Sequence, residues 1–472
     1  MLFGPNKEVI EAQKWVCTGP NQSRPLTGER GSPDPNRILS LILKTVAGEL
    51  IPDQTVSFAQ MGAFFAAMCI RRTFGESCKW SSAEENAFSA VSDLLEKLPR
   101  GLKFLLDGKG DPNVAYDETA TIDALRIVLT GGHLDYAQTK SALREILSGK
   151  VRPEWSAALL IGQRMNLESH EERLAYLDVV LPAEDVRQLN VPSITHLGPP
   201  FDGSMRYFRP NIFIAATRAA LGRPTVLHGV DLMPPKNGIT DERMLKSLGA
   251  NVDISLENGS RLLSDLGLVY ISQRNYAPSL YGLRDLREHI AKRPPWSTTE
   301  KAQQIYRCSG RNCIVLGFYH AGYEQKLLDL VRDRGFDAAL AVKGEEGGIS
   351  FGLRLGKLSG ATRKAVNYCE GFLGSQKWSE DVQPQLFDMN YEQSPRATEV
   401  SVEAFVCEGM DALGGRRGPS YDRIILSSGM MDYYLGFCTS ANEGIEHARN
   451  ALDRGLALAK LNQYVRMTYE LE

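Results

Sequence analysis

The stretch PTVLHGVDLMPPKNGITDERMLKSLG, residues 224–249, contains one complete unit of a mixed α/β fold. Its first part, PTVLHG, is a short apolar run bounded by proline and glycine, which is typical of a buried strand. Its last part has the pattern of a helix, because Thr240 can cap the amino terminus, acidic residues follow, and Gly249 can end it. The stretch therefore predicts a strand, a polar turn and a helix in that order.

The same alternation continues towards the carboxyl terminus. Further apolar runs that precede helical patterns or glycine-rich turns are LVYIS at 268–272, CIVLGF at 313–318 and AALAVKG at 338–344. Alternating strands and helices favour an α/β domain whose central sheet is mainly parallel. Ligands of such sheets bind beyond the carboxyl ends of the strands, so PTVLHG and AVKGEEGGIS mark the expected site.

The first 190 residues have a helical pattern instead. Residues 1–36 are rich in Pro, Gly and Asn and are read as an irregular arm. Helical periodicity runs from Ile38 to about Arg72, is broken at 100–120, and then resumes. The two helical stretches resemble each other, each ending in a small-residue helix with arginine, AFFAAMCIRR and AALLIGQRM. A duplicated helical module and two ordinary amphipathic hairpins both explain this likeness.

These patterns predict a small all-α helical domain and a larger α/β domain with a mainly parallel central sheet, preceded by an extra N-terminal helical extension. We place the extension at 1–118, the small helical domain at 119–188 and the α/β domain at 189–472. Part of 265–300 is expected to pack with the helical domain. The stretch GIEHARNALDRGLALAKLNQYVRM at 444–467 predicts one long amphipathic helix.

Composition limits the class of protein. The chain has 472 residues with 54 basic and 57 acidic side chains, which argues against a surface coated in basic residues. No apolar run reaches membrane-spanning length, and the start, MLFGPNKEVIEAQ, lacks a signal-peptide pattern. The eight cysteines are scattered, and the spacing of Cys308 and Cys313 is not that of a zinc knuckle. We expect free thiols and a cytoplasmic or other reducing soluble compartment, with no membrane partner.

The order of these elements resembles anthranilate phosphoribosyltransferase and its glycosyltransferase family 3 relatives. Three local matches carry the resemblance: AALAVKGEEGG at 338–348, GGRRGPSYDRIILSSG at 414–429, read as a turn and an apolar strand, and ANEGIEHARNALDRGLALAKL at 441–461. The resemblance implies transfer of a phosphoribosyl group from phosphoribosyl pyrophosphate to an aromatic amine, with Mg²⁺. It also implies a homodimer packed through the small helical domain.

The stretch HLGPPFDGSMRYF at 196–208 is similar to the family's Gly-Thr-Gly-Gly-Asp-Gly phosphate loop. Gly198, Asp202 and Gly203 match its two ends. Its middle is Pro199, Pro200 and Phe201, and the prolines have no N–H group to donate to a phosphate. Arg206 and Arg209 follow closely and could replace those donors with charge.

Two further segments match the family in part. In HGVDLMPPKNG at 228–238, His228 and Gly229 match, Val230 and Asp231 stand where the family has Asn and Arg, and Lys236 could bind an anion. In YAPSLYGLRDLREHIAKRPPWS at 276–297, Arg287 and Arg293 fall in register with acceptor-binding arginines, while alanine replaces the family's histidine at Ala277. The resemblance thus makes these two arginines candidate acceptor-binding residues.

The magnesium motif is altered in the same way. In KGEEGGIS at 343–350, Ile349 and Ser350 stand where the family has an Asp-Glu pair. Glu345 and Glu346 are the remaining carboxylates that could reach a metal, so no cofactor is certain and Mg²⁺ is expected only if transferase activity is retained.

A chain with these departures resembles a divergent branch of the family whose active site is degenerate. The resemblance implies that the protein is not a true anthranilate phosphoribosyltransferase. It implies instead that the protein binds an anionic ligand, such as nucleic acid, without catalysis. Basic and aromatic residues interleave between 203 and 293, which is typical of single-strand binding. The alternative is a phosphoribosyl or pentosyl transferase that uses phosphoribosyl pyrophosphate with an altered aromatic acceptor. A third hypothesis is a scaffold whose N-terminal module binds a partner.

Overall fold

The computed structural model describes residues 4–113, 118–354 and 367–470. The helices are α1 (Lys7–Val16), α2 (Pro35–Val46), α3 (Phe58–Arg71), α4 (Ser82–Ala90), α5 (Ser92–Leu95), α6 (Arg100–Phe104), α7 (Thr119–Val128), α8 (Tyr136–Leu147), α9 (Pro153–Asn166), α10 (His170–Asp178), α11 (Asn211–Ala220), α12 (Asp241–Ser247), α13 (Leu256–Leu266), α14 (Gln273–Tyr276), α15 (Pro278–Gly282), α16 (Arg284–Glu288), α17 (Trp296–Thr299), α18 (Tyr323–Asp333), α19 (Val402–Leu413), α20 (Pro419–Tyr434), α21 (Ala441–Asp453) and α22 (Leu456–Glu470). The strands are β1 (Arg187–Leu189), β2 (Ser193–Gly198), β3 (Thr225–Gly229), β4 (Leu268–Ser272), β5 (Tyr306–Cys308), β6 (Arg311–Gly317), β7 (Ala338–Val342), β8 (Tyr368–Leu373) and β9 (Gln376–Asp381).

The chain divides into two compact units. The helical unit comprises Met1–Val180 and Ser279–Ser297, and the sheet unit comprises Leu181–Pro278 and Thr298–Glu472. The predicted combination of a helical domain with an α/β domain is confirmed. The finer division of the helical part at residue 118 stays a prediction.

The amino-terminal segment is more ordered than the sequence suggested. The prediction of an irregular arm over 1–36 is wrong for α1, which Asn6 caps through its side chain. Val9, Ala12 and Val16 lie on one face of α1 and are buried. The Pro- and Gly-rich residues around this helix hid its apolar spacing.

Two sets of four helices in the helical unit have the same order and packing. In the first set α1 packs on α3 and α2 on α4, and in the second α7 packs on α9 and α8 on α10. The two small-residue helices, α3 and α9, pack against each other so closely that a Cβ on Gly62 would lie 2.0 Å from the Glu154 carbonyl oxygen. Glycine is therefore required where the two sets meet.

The two sets also share their capping contacts. A glutamate at the third position of the fourth helix closes a capping box and accepts an N–H bond from a buried leucine in the loop before the second helix. The residues in the first and second set, respectively, are Glu84 with Ser81 and Leu26, and Glu172 with Ser169 and Leu134. This correspondence favours a duplicated module over two unrelated hairpins.

The main sheet of the sheet unit has seven strands in the order β4-β3-β2-β6-β7-β8-β9. The first five run parallel, and β8 and β9 are antiparallel. Every residue of β2, β3, β4 and β7 is buried, as expected for parallel strands covered by helices on both faces. The predicted mainly parallel sheet is confirmed.

Two local expectations near the carboxyl terminus are wrong. Residues 419–434 form the helix α20 and not a strand, because Pro419 begins a helix and this apolar run is long enough for one and buried on nearly all sides. The predicted long final helix is two helices, α21 and α22, separated at Gly455, whose φ of 66° is left-handed. Among the described residues, no helix combines the length and apolarity needed to cross a membrane.

Candidate functional site

The parallel strands of the sheet unit end at one edge of the sheet. Register places Gly198, at the end of β2, opposite Leu316 in β6, and Gly229, at the end of β3, opposite Ser272 at the end of β4. The predicted residues Gly198, His228 and Gly229 therefore lie along this carboxyl edge. Loops at such an edge are where parallel sheets bind their ligands.

The loop after β2 is fixed by close backbone contacts. A Cβ on Gly198 would lie 2.0 Å from the Lys301 carbonyl oxygen, so only glycine fits there. Gly203 has a φ of 77°, and the neighbouring Ser204 exchanges backbone hydrogen bonds of 2.9 Å with Ile239. The loop after β2 and the loop after β3 are thus joined into one surface.

The middle of the β2 loop is filled by an aromatic side chain. Phe201 is buried, and its ring contacts the His228 ring edge-on with centroids 5.6 Å apart. The Tyr276 ring also contacts His228 edge-on, with ring centroids 6.0 Å apart. Burial lowers the pKa of the His228 imidazole to about 3, so this histidine is uncharged at neutral pH and offers no positive charge to an anion.

The residues after this loop bind a carboxylate of the same chain. The Glu346 carboxylate accepts hydrogen bonds from the backbone N–H groups of Met205 (3.2 Å), Arg206 (3.0 Å) and Tyr207 (3.2 Å). Successive N–H groups that point to one place form a nest for anions. The Glu346 side chain is only 4% exposed, and its backbone has a left-handed φ of 55°.

Two cations stand beside the same carboxylate. Lys236 Nζ lies 3.6 Å from Glu346 Oε1, and Arg206 Nε lies 3.7 Å from it. Lys236 Nζ also donates to the Gly203 carbonyl oxygen at 2.6 Å and lies 3.6 Å from Asp202 Oδ1. Four predicted anion-site residues, Asp202, Gly203, Arg206 and Lys236, are therefore brought together, and Glu346 lies among them.

Arg209 is held apart from this group by another acidic residue. It is buried, and its Nε and Nη2 donate to the two oxygens of Asp241 at 3.0 and 2.8 Å. Nη2 also donates to the Pro200 carbonyl oxygen at 3.2 Å. An anion could use Arg209 only by displacing Asp241.

Comparisons with known proteins agree on one family. The glycosyl transferase family helical bundle domain matches residues 122–181. The chain is 26% identical to anthranilate phosphoribosyltransferase of Rubrobacter xylanophilus over 357 residues, covering 74% of this chain and 98% of that one. It is 24% identical to the enzyme of Methanobrevibacter smithii over 347 residues, covering 73% and 98%.

Solved structures show the same fold. The anthranilate phosphoribosyltransferase of Thermus thermophilus aligns with a TM-score of 0.59 at 19% identity, covering 74% of this chain and 99% of that one. The enzyme of Saccharomyces cerevisiae in complex with PRPP and Mg aligns with a TM-score of 0.60 at 14% identity, covering 75% and 99%. The chain is thus similar to anthranilate phosphoribosyltransferases in sequence and in fold. About a quarter of it lies outside each match.

The candidate acceptor-binding arginines of this anthranilate phosphoribosyltransferase-like protein belong to the helical unit. Arg287, on α16, is buried, and its Nη2 donates to Ser297 Oγ at 2.7 Å. Arg293 is exposed. The two arginines thus have different surroundings, and their role in binding an acceptor stays a prediction.

The two candidate metal-binding glutamates have separate partners. Glu345 Oε2 lies 3.1 Å from Arg423 Nη2, and burial raises the pKa of the Glu345 carboxyl against the effect of this arginine. Glu346 instead faces the amides of residues 205–207. Ile349, in the place of a magnesium ligand of the family, is fully buried.

The sequence did not predict that two acidic residues, Glu346 and Asp241, pair with the N–H groups and basic side chains at the carboxyl edge of the sheet. The sequence makes Glu346 only a weak candidate metal ligand, whereas its hydrogen bonds reach residues 139 to 141 positions away in the chain. The sequence marks Asp241 only as an acid in the first turn of a helix, here α12. Neither pairing has a local sequence signal, because both depend on how neighbouring loops of the sheet meet.

Proposed function

We propose that this anthranilate phosphoribosyltransferase-like protein has a degenerate active site, is not a true anthranilate phosphoribosyltransferase, and binds an anionic ligand without catalysis. The observation that carries the proposal is the Glu346 carboxylate, which takes the N–H groups of residues 205–207. A phosphate group would need those same donors.

The cost of displacing Glu346 supports this proposal. Hydrogen bonds to a charged group contribute about 1.5–3 kcal/mol each. A phosphate must therefore replace several such bonds of Glu346 before its binding has a net favourable free energy. It would also meet the negative charge of Glu346 close to Asp202, with Lys236 shared between them. Pro199 and Pro200 offer no N–H groups as substitutes.

The same arrangement argues against a magnesium ion held by the protein. Mg²⁺ needs oxygen ligands that converge on one point. Glu345 pairs with Arg423, and Glu346 pairs with amides and Lys236. We therefore infer that Mg²⁺ would be bound only together with a phosphorylated ligand, and only if transferase activity is retained.

Activity and anion binding can be tested together. The protein, incubated with phosphoribosyl pyrophosphate, Mg²⁺ and anthranilate, is expected to release no pyrophosphate and form no fluorescent phosphoribosyl anthranilate. Glu346→Ala empties the nest and is expected to bind pyrophosphate at least tenfold more tightly than the parent in calorimetry. The matched control is Glu345→Ala, which removes a neighbouring carboxylate that pairs elsewhere. Pyrophosphate release by the parent would overturn the proposal.

Nucleic acid is the anionic ligand that we propose first. Arg396, Arg416 and Arg417 line a cavity of about 370 Å³ in the sheet unit, and arginines bind phosphate backbones. Against this, several of the basic residues between 203 and 293 already pair with acids, such as Arg209 with Asp241 and Lys246 with Glu242.

The nucleic-acid proposal predicts salt-dependent binding. Binding of a labelled single strand, followed by fluorescence anisotropy, should weaken steeply as salt increases. The double variant Arg396→Ala, Arg416→Ala should bind more weakly and lower the salt slope by about two, and Arg466→Ala, which removes an exposed arginine of α22, is the control. Absent or salt-independent binding of the parent would exclude nucleic acid.

The alternative is a phosphoribosyl or pentosyl transferase with an altered aromatic acceptor. Arg287 supports it, because its buried guanidinium survives where the family has an acceptor-binding arginine. Pyrophosphate release from phosphoribosyl pyrophosphate with an aromatic amine other than anthranilate would favour this alternative.

The homodimer through the helical domain also stays a proposal. The face of α9 that meets α3 is covered within the chain, so such a dimer must use other faces of the helical unit. Light scattering that gives the 52.2 kDa mass of a single chain would exclude the dimer.

A further inference from the structure

Three side chains with metal-binding atoms meet between α20 and α21, outside the proposed anion site. Cys438 lies in the connection between these helices, and Glu443 and His447 are four residues apart on α21, on one face of the helix. Their possible ligand atoms all lie within 4.8 Å of one another. The Cys438 Sγ and His447 Nδ1 atoms are 3.7 Å apart.

This separation fits a tetrahedral metal ion. A zinc ion lies about 2.3 Å from a thiolate sulfur and about 2.0–2.1 Å from an imidazole nitrogen, which places those two atoms roughly 3.5 Å apart at a tetrahedral angle. Cys438 and His447 would therefore need to move by only a few tenths of an ångström. A sulfur, nitrogen and oxygen set is a combination that Zn²⁺ accepts and that Mg²⁺ or Ca²⁺ does not prefer.

The carboxylate of this set is already oriented. Glu443 Oε2 accepts hydrogen bonds from the N–H (2.7 Å) and the hydroxyl (2.6 Å) of Thr439. Outer hydrogen bonds of this kind hold metal ligands in place in known metal sites.

The Cys438 thiol must lose its proton to ligate a metal, so metal binding at this site would release a proton.

We propose that Cys438, Glu443 and His447 form a binding site for Zn²⁺, with the Cys438 thiolate, a Glu443 oxygen and the His447 Nδ1 as ligands and a fourth position open to water. The site is independent of the proposed function, since its ligands belong to α21 and the connection before it, whereas the proposed function rests on Glu346 and the loop at 198–209.

Cobalt titration of the full chain tests the site. The protein is first treated with a chelator and dialysed. Added Co²⁺ is then expected to produce a thiolate-to-cobalt charge-transfer band that saturates at one equivalent of Co²⁺ per chain. Zn²⁺ should displace the cobalt and remove the band. Cys438→Ser should abolish the band. Cys407→Ser, which removes an exposed cysteine on α19, is the matched control and should keep it.

Further variants guard against loss of the fold. Glu443→Gln and His447→Asn should keep the parent's melting temperature in chelator and should weaken cobalt binding by at least tenfold. Thr439→Ala should weaken it by about 10- to 100-fold, as removal of an outer hydrogen bond does. No band in the parent, or an equal band in Cys438→Ser, would overturn the proposal and leave only a thiol–imidazole contact.

Discussion

The helical unit and the sheet unit each bury a carboxylate that backbone N–H groups and a cation surround. In the helical unit, Glu84 accepts N–H bonds from Leu26 (2.9 Å) and Ser81 (2.7 Å) and pairs with Arg71, whose side chain is fully buried as well. In the sheet unit, Glu346 accepts three N–H bonds from residues 205–207 beside Lys236. The two clusters are alike in burial and hydrogen bonding.

The two clusters differ in whether the arrangement recurs elsewhere in the chain and in the backbone conformation of the glutamate. The Glu84 arrangement recurs at Glu172 in the second set of helices, where the donors again belong to a helix cap and a loop leucine. Glu346 instead takes donors from a loop at the ligand-binding edge of the sheet, and it does so in a left-handed conformation. A buried carboxylate that completes a helix cap stabilises the fold, whereas Glu346 occupies a place that the fold class gives to a ligand.

Removing Glu84 should have the largest effect on stability. Glu84→Ala leaves the Arg71 guanidinium buried without its carboxylate, and loss of one partner of a buried ion pair costs about 3–5 kcal/mol. Urea denaturation measures this loss. Glu85→Ala, at the exposed neighbouring position, is the control and should change stability by less than about 0.5 kcal/mol. A loss below 1 kcal/mol in Glu84→Ala would mean that the cluster is not structural.

Acid should have the next largest effect, through two buried histidines of the sheet unit. Burial lowers the pKa of both His196 and His228, in the sheet unit, from 6.5 to about 3. The unfolded chain therefore binds more protons than the folded chain between these values, and stability falls as pH decreases below 6.5. At pH 5.5 each histidine costs about 1.4 kcal/mol, or about 2.8 kcal/mol together.

Melting temperatures between pH 7.5 and 5.5 test this expectation. His196 Nε2 accepts the Ile305 N–H at 3.1 Å, so His196 must stay neutral on that nitrogen to keep the bond. His228→Asn should remove about half of the pH dependence. If the stability of the parent protein did not change over this pH range, the lowered pKa of the two buried histidines would be contradicted.

The sequence predicted the repeated features better than the single ones. The strand–helix alternation and the two small-residue helices recur along the chain, and the α/β class and the likeness of the two helical stretches followed from them. The sequence of α20 resembles a turn and an apolar strand, and a run buried on nearly all sides has no period that separates strand from helix. The pairing of Glu346 with residues 205–207 depends on long-range loop packing, which no spacing records.

Glu172 should show how closely the second set of helices repeats the first. Glu172→Ala removes the acceptor for the Leu134 N–H (3.0 Å) and the Gln163 amide (3.1 Å) and leaves these donors buried. Glu172 also contacts His133, whose side chain is 46% exposed, so the substitution leaves no charge buried without a partner there. We expect a loss of about 1–3 kcal/mol in urea denaturation, smaller than for Glu84→Ala. A loss as large as that of Glu84→Ala would remove this difference between the two sets.

The smallest expected change in stability, and the most specific test, concerns the backbone conformation at Glu346. A residue other than glycine costs about 1–2 kcal/mol in the left-handed region, so Glu346→Gly should be more stable than Glu346→Ala by about 1 kcal/mol. The same pair at Glu85, inside α4, should show the opposite sign, because glycine in a helix is less stable than alanine by about 1 kcal/mol. If both positions gave the same sign, the left-handed strain assigned to Glu346 would be wrong, and its contact with residues 205–207 would be as relaxed as a helix cap.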